Sequence, residues 1–126
     1  MSKIIELNKK EDLKLLPAEI SDLTRKSIEV VINQPLEKLV FGLSESYITP
    51  YAVIAVSNSA KQIDAICSEV IKNLKDHGLF NTKIKIDGNG ERGWCIVDLS
   101  DSLLHLITTE KLEKFKLEEI IKGNYQ

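Results

Sequence analysis

Cysteine is scarce in this chain, with only Cys67 and Cys95 in 126 residues. They lie far apart, each inside an apolar pattern, with no CxxC spacing and no histidine near them in sequence. They read as buried free thiols of a reducing compartment, in preference to a disulfide or a zinc site. No apolar run is long enough to span a bilayer. The first twelve residues, Met1 to Asp12, mix acids with lysines and hold no stretch of signal-peptide length. The expected location is cytoplasmic, without a membrane. No charge of one sign dominates either: 17 basic residues stand against 19 acidic ones, for a net charge of −2. A domain that grips a nucleic-acid backbone unaided needs a basic surface, so no direct nucleic-acid binding is expected. A partner rich in lysine and arginine would suit the slight acidity.

What is present is the make-up of one ordinary globular domain, with 43% hydrophobic and 29% charged residues. A chain of this length buries roughly two-thirds of its unfolded surface on folding, enough for a true core. Residues 1–16 alternate short apolar pairs with charges and read as an appended N-terminal arm or loose helix, leaving 17–126 as the domain. Pro17 suits a first helical turn, and Ile20, Leu23, Ser27, Ile28, Val31 and Ile32 follow at helical spacing until Asn33-Gln34-Pro35. Residues 37–43 read as a strand, Ser44-Glu45-Ser46 as the turn out of it, and Tyr51–Val56, wholly apolar, as a central strand covered on both faces. Ser59 with Gln62 forms a capping-box pattern ahead of a stripe of Ile63, Ile66, Cys67, Val70, Ile71 and Leu74, stopped at Gly78. Lys83–Asp87 alternates as an outer strand, Gly88-Asn89-Gly90 makes a turn, and 94–98 and 102–108 are two more strands. Residues 110–121 close the chain as one helix. The order predicts a mixed α/β sheet of about five strands with helices packed against it.

The informative segment runs from Gly93 to His105. Trp94, the only tryptophan, opens the apolar run Cys95-Ile96-Val97, which ends at Asp98; an acidic turn and a second apolar run to His105 follow. One rigid amphipathic ring among polar groups is the composition of an interface centre. Three chemical readings compete. Cys95, His105 and Asp98 could form a nucleophile with its base, but Cys95 and Asp98, three apart on one strand, point to opposite faces. Asp98 and Asp101 could hold magnesium with Asp87 or Glu91, without the phosphate-binding loop that normally accompanies such a site. The Val56-Ser57-Asn58-Ser59 turn could receive an anion at a helix N-terminus, without a glycine-rich signature. No cofactor and no metal are expected.

The residues also resemble a known family, the ribosomal silencing factors or Iojap-like proteins. That family's strand DYFVIATGNS, then RQV, an acid-glycine pair, a G-W-V-L-x-D-x-G-D-x-x-V-H stretch and a final R-x-F-Y-x-L-E are met here in order. The counterparts are Pro50 to Ser59, Lys61-Gln62-Ile63, Asp87-Gly88, Gly93 to Asp101 with Leu104-His105, and Phe115-Lys116-Leu117-Glu118. The chain departs from the pattern at Pro50 (aspartate), Ser57 and Ser100 (glycine), Leu112 (arginine), Phe115 (tyrosine) and Ile121 (tryptophan). The resemblance implies a single compact α/β domain similar to nucleotidyltransferases but without their catalytic residues. It implies a non-enzymatic translational repressor that binds the large ribosomal subunit through ribosomal protein L-fourteen and sterically blocks joining of the small subunit. It also places Trp94, Asp98, Asp101 and His105 at motif positions as partner-binding residues, with Leu99 and Leu104 flanking them, in a monomer or weak homodimer. The competing classes are a nucleotide-binding or nucleotidyltransferase-like enzyme using Asp87, Asp98 or Asp101 with magnesium, and a self-associating interaction module.

Overall fold

The computed structural model describes residues 4–44 and 49–121, and its centre is the strand with the most apolar sequence. Tyr51–Ser57 (β3) is buried along its whole length, as a strand without polar interruption must be when both its faces are covered. Antiparallel Lys38–Leu43 (β2) lies on one side of it and parallel Ser102–Thr108 (β6) on the other. Trp94–Asp98 (β5) pairs antiparallel with β6, and Lys85–Asn89 (β4) pairs antiparallel with β5 to form one edge. At the opposite edge Ile4–Glu6 (β1) pairs with β2, so the order is β1-β2-β3-β6-β5-β4. The sheet therefore has six strands, one more than predicted. The added strand comes from the segment expected to be an arm, and Leu7 and Leu16 beside it are buried in the main core. Between them Lys10–Leu15 forms a 3-10 turn.

Helices cover both faces. Asp22–Val31 (α1) and Ala60–Asp76 (α2) lie on one face, where Ile28, Val31, Ile63, Ile66, Val70 and Leu74 meet Phe41, Val53, Cys95, Val97 and Leu106. Each such aliphatic side chain contributes roughly 1.5–3 kcal/mol by leaving water. Thr109–Lys114 (α3) and Leu117–Ile121 (α4) cover part of the other face, where Ile120 and Ile121 pack on Val40, Ala52 and Ile54.

Local chemistry sets the helix ends. Helix α1 begins at Asp22 and not at Pro17, because Ser21 is extended and its hydroxyl accepts the Thr24 N–H at 3.1 Å. Ser59 caps α2 by accepting the Gln62 N–H at 3.3 Å. The reciprocal half of the capping box is replaced, since the Gln62 amide bonds the Ser57 hydroxyl and donates to the Pro35 carbonyl instead. At the far end Gly78, at φ 68°, lets the Leu79 N–H reach the Leu74 carbonyl and its own N–H reach Lys75, a Schellman closure. The single helix predicted for 110–121 is broken: Phe115 is extended and leaves the helical path to pack on Trp94. The turn read at Gly88-Asn89-Gly90 is displaced, as β4 runs through Asn89 and the chain reverses over Gly90 to Gly93. Of the expected Ser44-Glu45-Ser46 turn, Glu45 and Ser46 lie outside the described residues.

Between β5 and β6, Ser100 is the one non-glycine residue with positive φ among the described residues, at 80°. A Cβ in this left-handed region costs about 1–2 kcal/mol, and glycine returns part of that gain as unfolded-chain entropy. Ser100→Gly is therefore expected to stabilise the protein by about 0.5–1 kcal/mol, read as a higher urea midpoint.

Candidate functional site

Alternation along β5 decides what the informative segment displays. Cys95 and Val97 point into the α1/α2 core, while Trp94, Ile96 and Asp98 share the opposite face and are each half-buried. In register, Trp94 lies between Asn89 and Ile107, Ile96 between Asp87 and His105, and Asp98 between Lys85 and Leu103. This part of the sheet forms the floor of an open depression of about 300 Å³ lined by Asp87, Gly88, Arg92, Trp94, Ile96, Lys111 and Phe115. Its centre is apolar, and two cations and one carboxylate stand around it.

The indole is fixed from three sides. Gly93, at φ 77°, brings the chain into β5 close to α3, where an added Cβ would lie 3.1 Å from both Thr108 Oγ1 and Lys111 Cγ. The Phe115 ring packs 5.0 Å from the Trp94 ring at 51°, and the His105 ring 5.9 Å away at 46°. Trp94 Nε1 donates to His105 Nδ1 at 3.0 Å. Accepting at Nδ1 fixes the histidine as the neutral tautomer with its proton on Nε2.

Burial holds His105 down at about 3, far below its ordinary value near 6.5, because the interior penalises the imidazolium. The folded protein keeps the ring neutral between those values while the unfolded chain takes up a proton, so stability is full above about pH 6.5 and falls as pH drops toward 3. This one group is expected to remove about 2 kcal/mol of unfolding free energy between pH 7 and 5. Urea titrations of His105→Asn, which keeps an acceptor for the indole, are expected to lack that part of the slope. An unchanged slope would assign the acid sensitivity elsewhere.

The six residues proposed for partner contact separate into three groups. Trp94 and Asp98 reach the surface on one face. Leu99, Leu104 and His105 are 0% exposed and lie beneath it, so their side chains support the surface instead of forming it. Asp101 is half-buried and points away, toward α1: it accepts from the Ser21 N–H at 2.7 Å, the Ser21 hydroxyl at 2.7 Å and the Thr24 hydroxyl at 2.5 Å. Asp98 accepts the Ser100 N–H at 3.0 Å, bracing the turn. Sequence reasoning missed Ile96, Arg92, Lys111 and Phe115 as neighbours of Trp94. Period-2 alternation from Trp94 would have found Ile96, Arg92 comes from the turn that leads into β5, and Lys111 and Phe115 are brought there by tertiary packing.

The competing chemistries lose their geometry. Cys95 and His105 lie on opposite faces of the sheet, which separates the nucleophile from its base. No group of three or more His, Cys, Asp or Glu residues among the described ones could hold a metal ion. At the α2 N-terminus two donors of the turn read as an anion site are already used: Ser59 N–H bonds the Ser57 hydroxyl at 3.1 Å, and Gln62 N–H bonds the Ser59 hydroxyl at 3.3 Å. No helix among the described residues is long and apolar enough to cross a membrane.

Fold and surface together define a small α/β domain of one mixed sheet, helices on both faces and an aromatic depression beside its β4 edge. Two solved structures have this fold: a protein of Chromobacterium violaceum, with a TM-score of 0.68 at 20% identity over 86% of this chain and 89% of that one, and a protein of Bacillus halodurans, with 0.64 at 24% over 80% and 94%. Residues 9–124 match the family described as ribosomal silencing factor during starvation. Ribosomal silencing factor of Bacillus subtilis is 30% identical over 114 residues, covering 90% of this chain and 87% of that protein. The counterpart of Halalkalibacterium halodurans is 29% identical over 104 residues, covering 79% and 85%. The chain belongs to the ribosomal silencing factor family.

Proposed function

We propose that this protein represses translation by binding the large ribosomal subunit through ribosomal protein L-fourteen, where it physically obstructs joining of the small subunit. The family match over residues 9–124 carries the reading. The surface supports it: Trp94 and Ile96 form an apolar centre, held by Phe115 and His105 and ringed by Arg92, Lys111 and Asp87, with Asp98 two positions further along the same face of β5, as a contact that excludes water requires. Trp94 is the anchor and Asp98 a flanking charge. The protein acts by occupancy without catalysis, in the cytoplasm where ribosomes assemble, as a monomer or weak homodimer that touches ribosomal protein in preference to RNA.

Sedimentation tests this directly. Added protein is expected to travel with large subunits and to reduce the fraction of whole ribosomes formed when small subunits are supplied. Failure to travel with large subunits would overturn the function. Binding without any effect on joining would overturn the obstruction mechanism alone.

A further inference from the structure

Packing brings the two cysteines together although 28 positions separate them. Cys67 on α2 and Cys95 on β5 place their sulfurs 3.8 Å apart, with the Cys95 thiol donating to the Cys67 sulfur. We propose that Cys67 and Cys95 are a redox modification site, which hydrogen peroxide converts to an intramolecular disulfide joining α2 to β5 and which thiol reductants reverse.

The asymmetry of the pair assigns the roles. Cys95 is buried, whereas Cys67 is part-exposed and opens on a surface depression of about 450 Å³ lined also by Ser68, Ile71, Lys75 and Ile86. A small neutral oxidant or a reductant therefore reaches Cys67 first. The hydrogen bond from Cys95 holds the Cys67 thiol below its ordinary value, against the opposing effects of burial and Asp64. The same contact, with burial and the charges of Asp64 and Asp87, pushes Cys95 up. Cys67 is thus the attacking thiolate and Cys95 the resolving thiol. A disulfide bond is about 2.05 Å long, so roughly 1.7 Å must close, by side-chain rotation and a small approach of helix and strand.

The chemistry balances with one peroxide. The Cys67 thiolate attacks a peroxide oxygen; the O–O bond breaks, an S–O bond forms, and the departing hydroxide takes up the thiol proton as water, leaving a sulfenic acid. The Cys95 sulfur then loses its proton and attacks the Cys67 sulfur; the S–O bond breaks, the S–S bond forms, and the oxygen departs as a second water. Two thiols are oxidised and one peroxide is reduced to two waters. Nothing in the step depends on the ribosomal reading.

The test uses the purified full chain at low concentration with stoichiometric hydrogen peroxide. Intact mass is expected to fall by two hydrogen atoms, thiols titrated after denaturation to drop from two per chain to none, and dithiothreitol to restore both. Peptide mapping is expected to recover Cys67 linked to Cys95 in the wild-type protein, so the assignment does not depend on a variant folding. In Cys67→Ser the remaining thiol is expected to survive the same treatment, and in Cys95→Ala a dimedone-trapped sulfenic acid is expected at Cys67. Two thiols left free, a Cys67-to-Cys67 linkage between chains, or sulfinic acid at Cys67 with Cys95 intact would each overturn the proposal.

Discussion

Trp94→Ala is expected to weaken binding to large ribosomal subunits at least tenfold, and Ile96→Lys to weaken it by a similar factor while leaving the fold nearly as stable as before. Tenfold is about 1.4 kcal/mol, the lower end for a buried aromatic anchor. The two substitutions are needed together because the indole has two roles. Its rim faces outward, but its body packs on Phe115 and its N–H holds His105, so truncation also loosens the sheet. Ile96 lies beside it on the same face, half-exposed between Asp87 and His105. A lysine there places a third cation near Arg92 and Lys111 and removes the apolar centre, with its ammonium free to extend into water. Co-sedimentation compared at a temperature well below each variant's melting point separates affinity from unfolding. Retention of wild-type binding by both folded variants would move the contact off this face, while leaving the family membership untouched.

The parts of the fold that were legible in the sequence are those whose determinants are local. Strand β3 has no polar interruption before its terminal Ser57, and α2 carries its cap, its stripe and its stop within about twenty residues of one another. Strand β1 was not legible: three residues, two of them isoleucine among charges, give no period, and the strand exists because β2 offers its free edge. The break after α3 was hidden for a related reason. Leu112 and Phe115 fit helical spacing, and it is Trp94, twenty-one positions upstream, that draws Phe115 out of the helix. The cysteines show the limit most plainly, since nothing near either one signals that helix–strand packing will set their sulfurs in contact. In the site itself Trp94 stood out by rarity and chemistry. Its supporting cations come from the turn before β5 and from α3, and the inward placement of Leu99, Leu104 and Asp101 comes from the packing of β6 and the β5–β6 turn on the α1 side, neither of which is written in the local sequence.

Asp101→Ala is expected to destabilise the protein by about 2–4 kcal/mol, the largest stability loss among the acidic side chains discussed. The carboxylate joins the β5–β6 turn to the first turn of α1, residues eighty positions apart in sequence. One oxygen accepts the Ser21 N–H and the other accepts both the Ser21 and Thr24 hydroxyls. Thr24 in turn shares a 2.6 Å hydrogen bond with Ser102, and both are fully buried. Truncation therefore leaves an N-cap hydroxyl and a backbone N–H short of their acceptor and removes a negative charge from the positive end of the helix dipole. Asp101→Asn is expected to recover only part of the loss, because an amide offers one acceptor oxygen where the network uses two. Denaturant midpoints measure the loss, and ribosome binding measured on the folded fraction tells whether the residue also meets a partner. Affinity within about twofold of wild type is expected, since a side chain with both oxygens engaged toward α1 has little left to offer outward. Normal stability with lost binding would reverse that assignment and make Asp101 a contact residue.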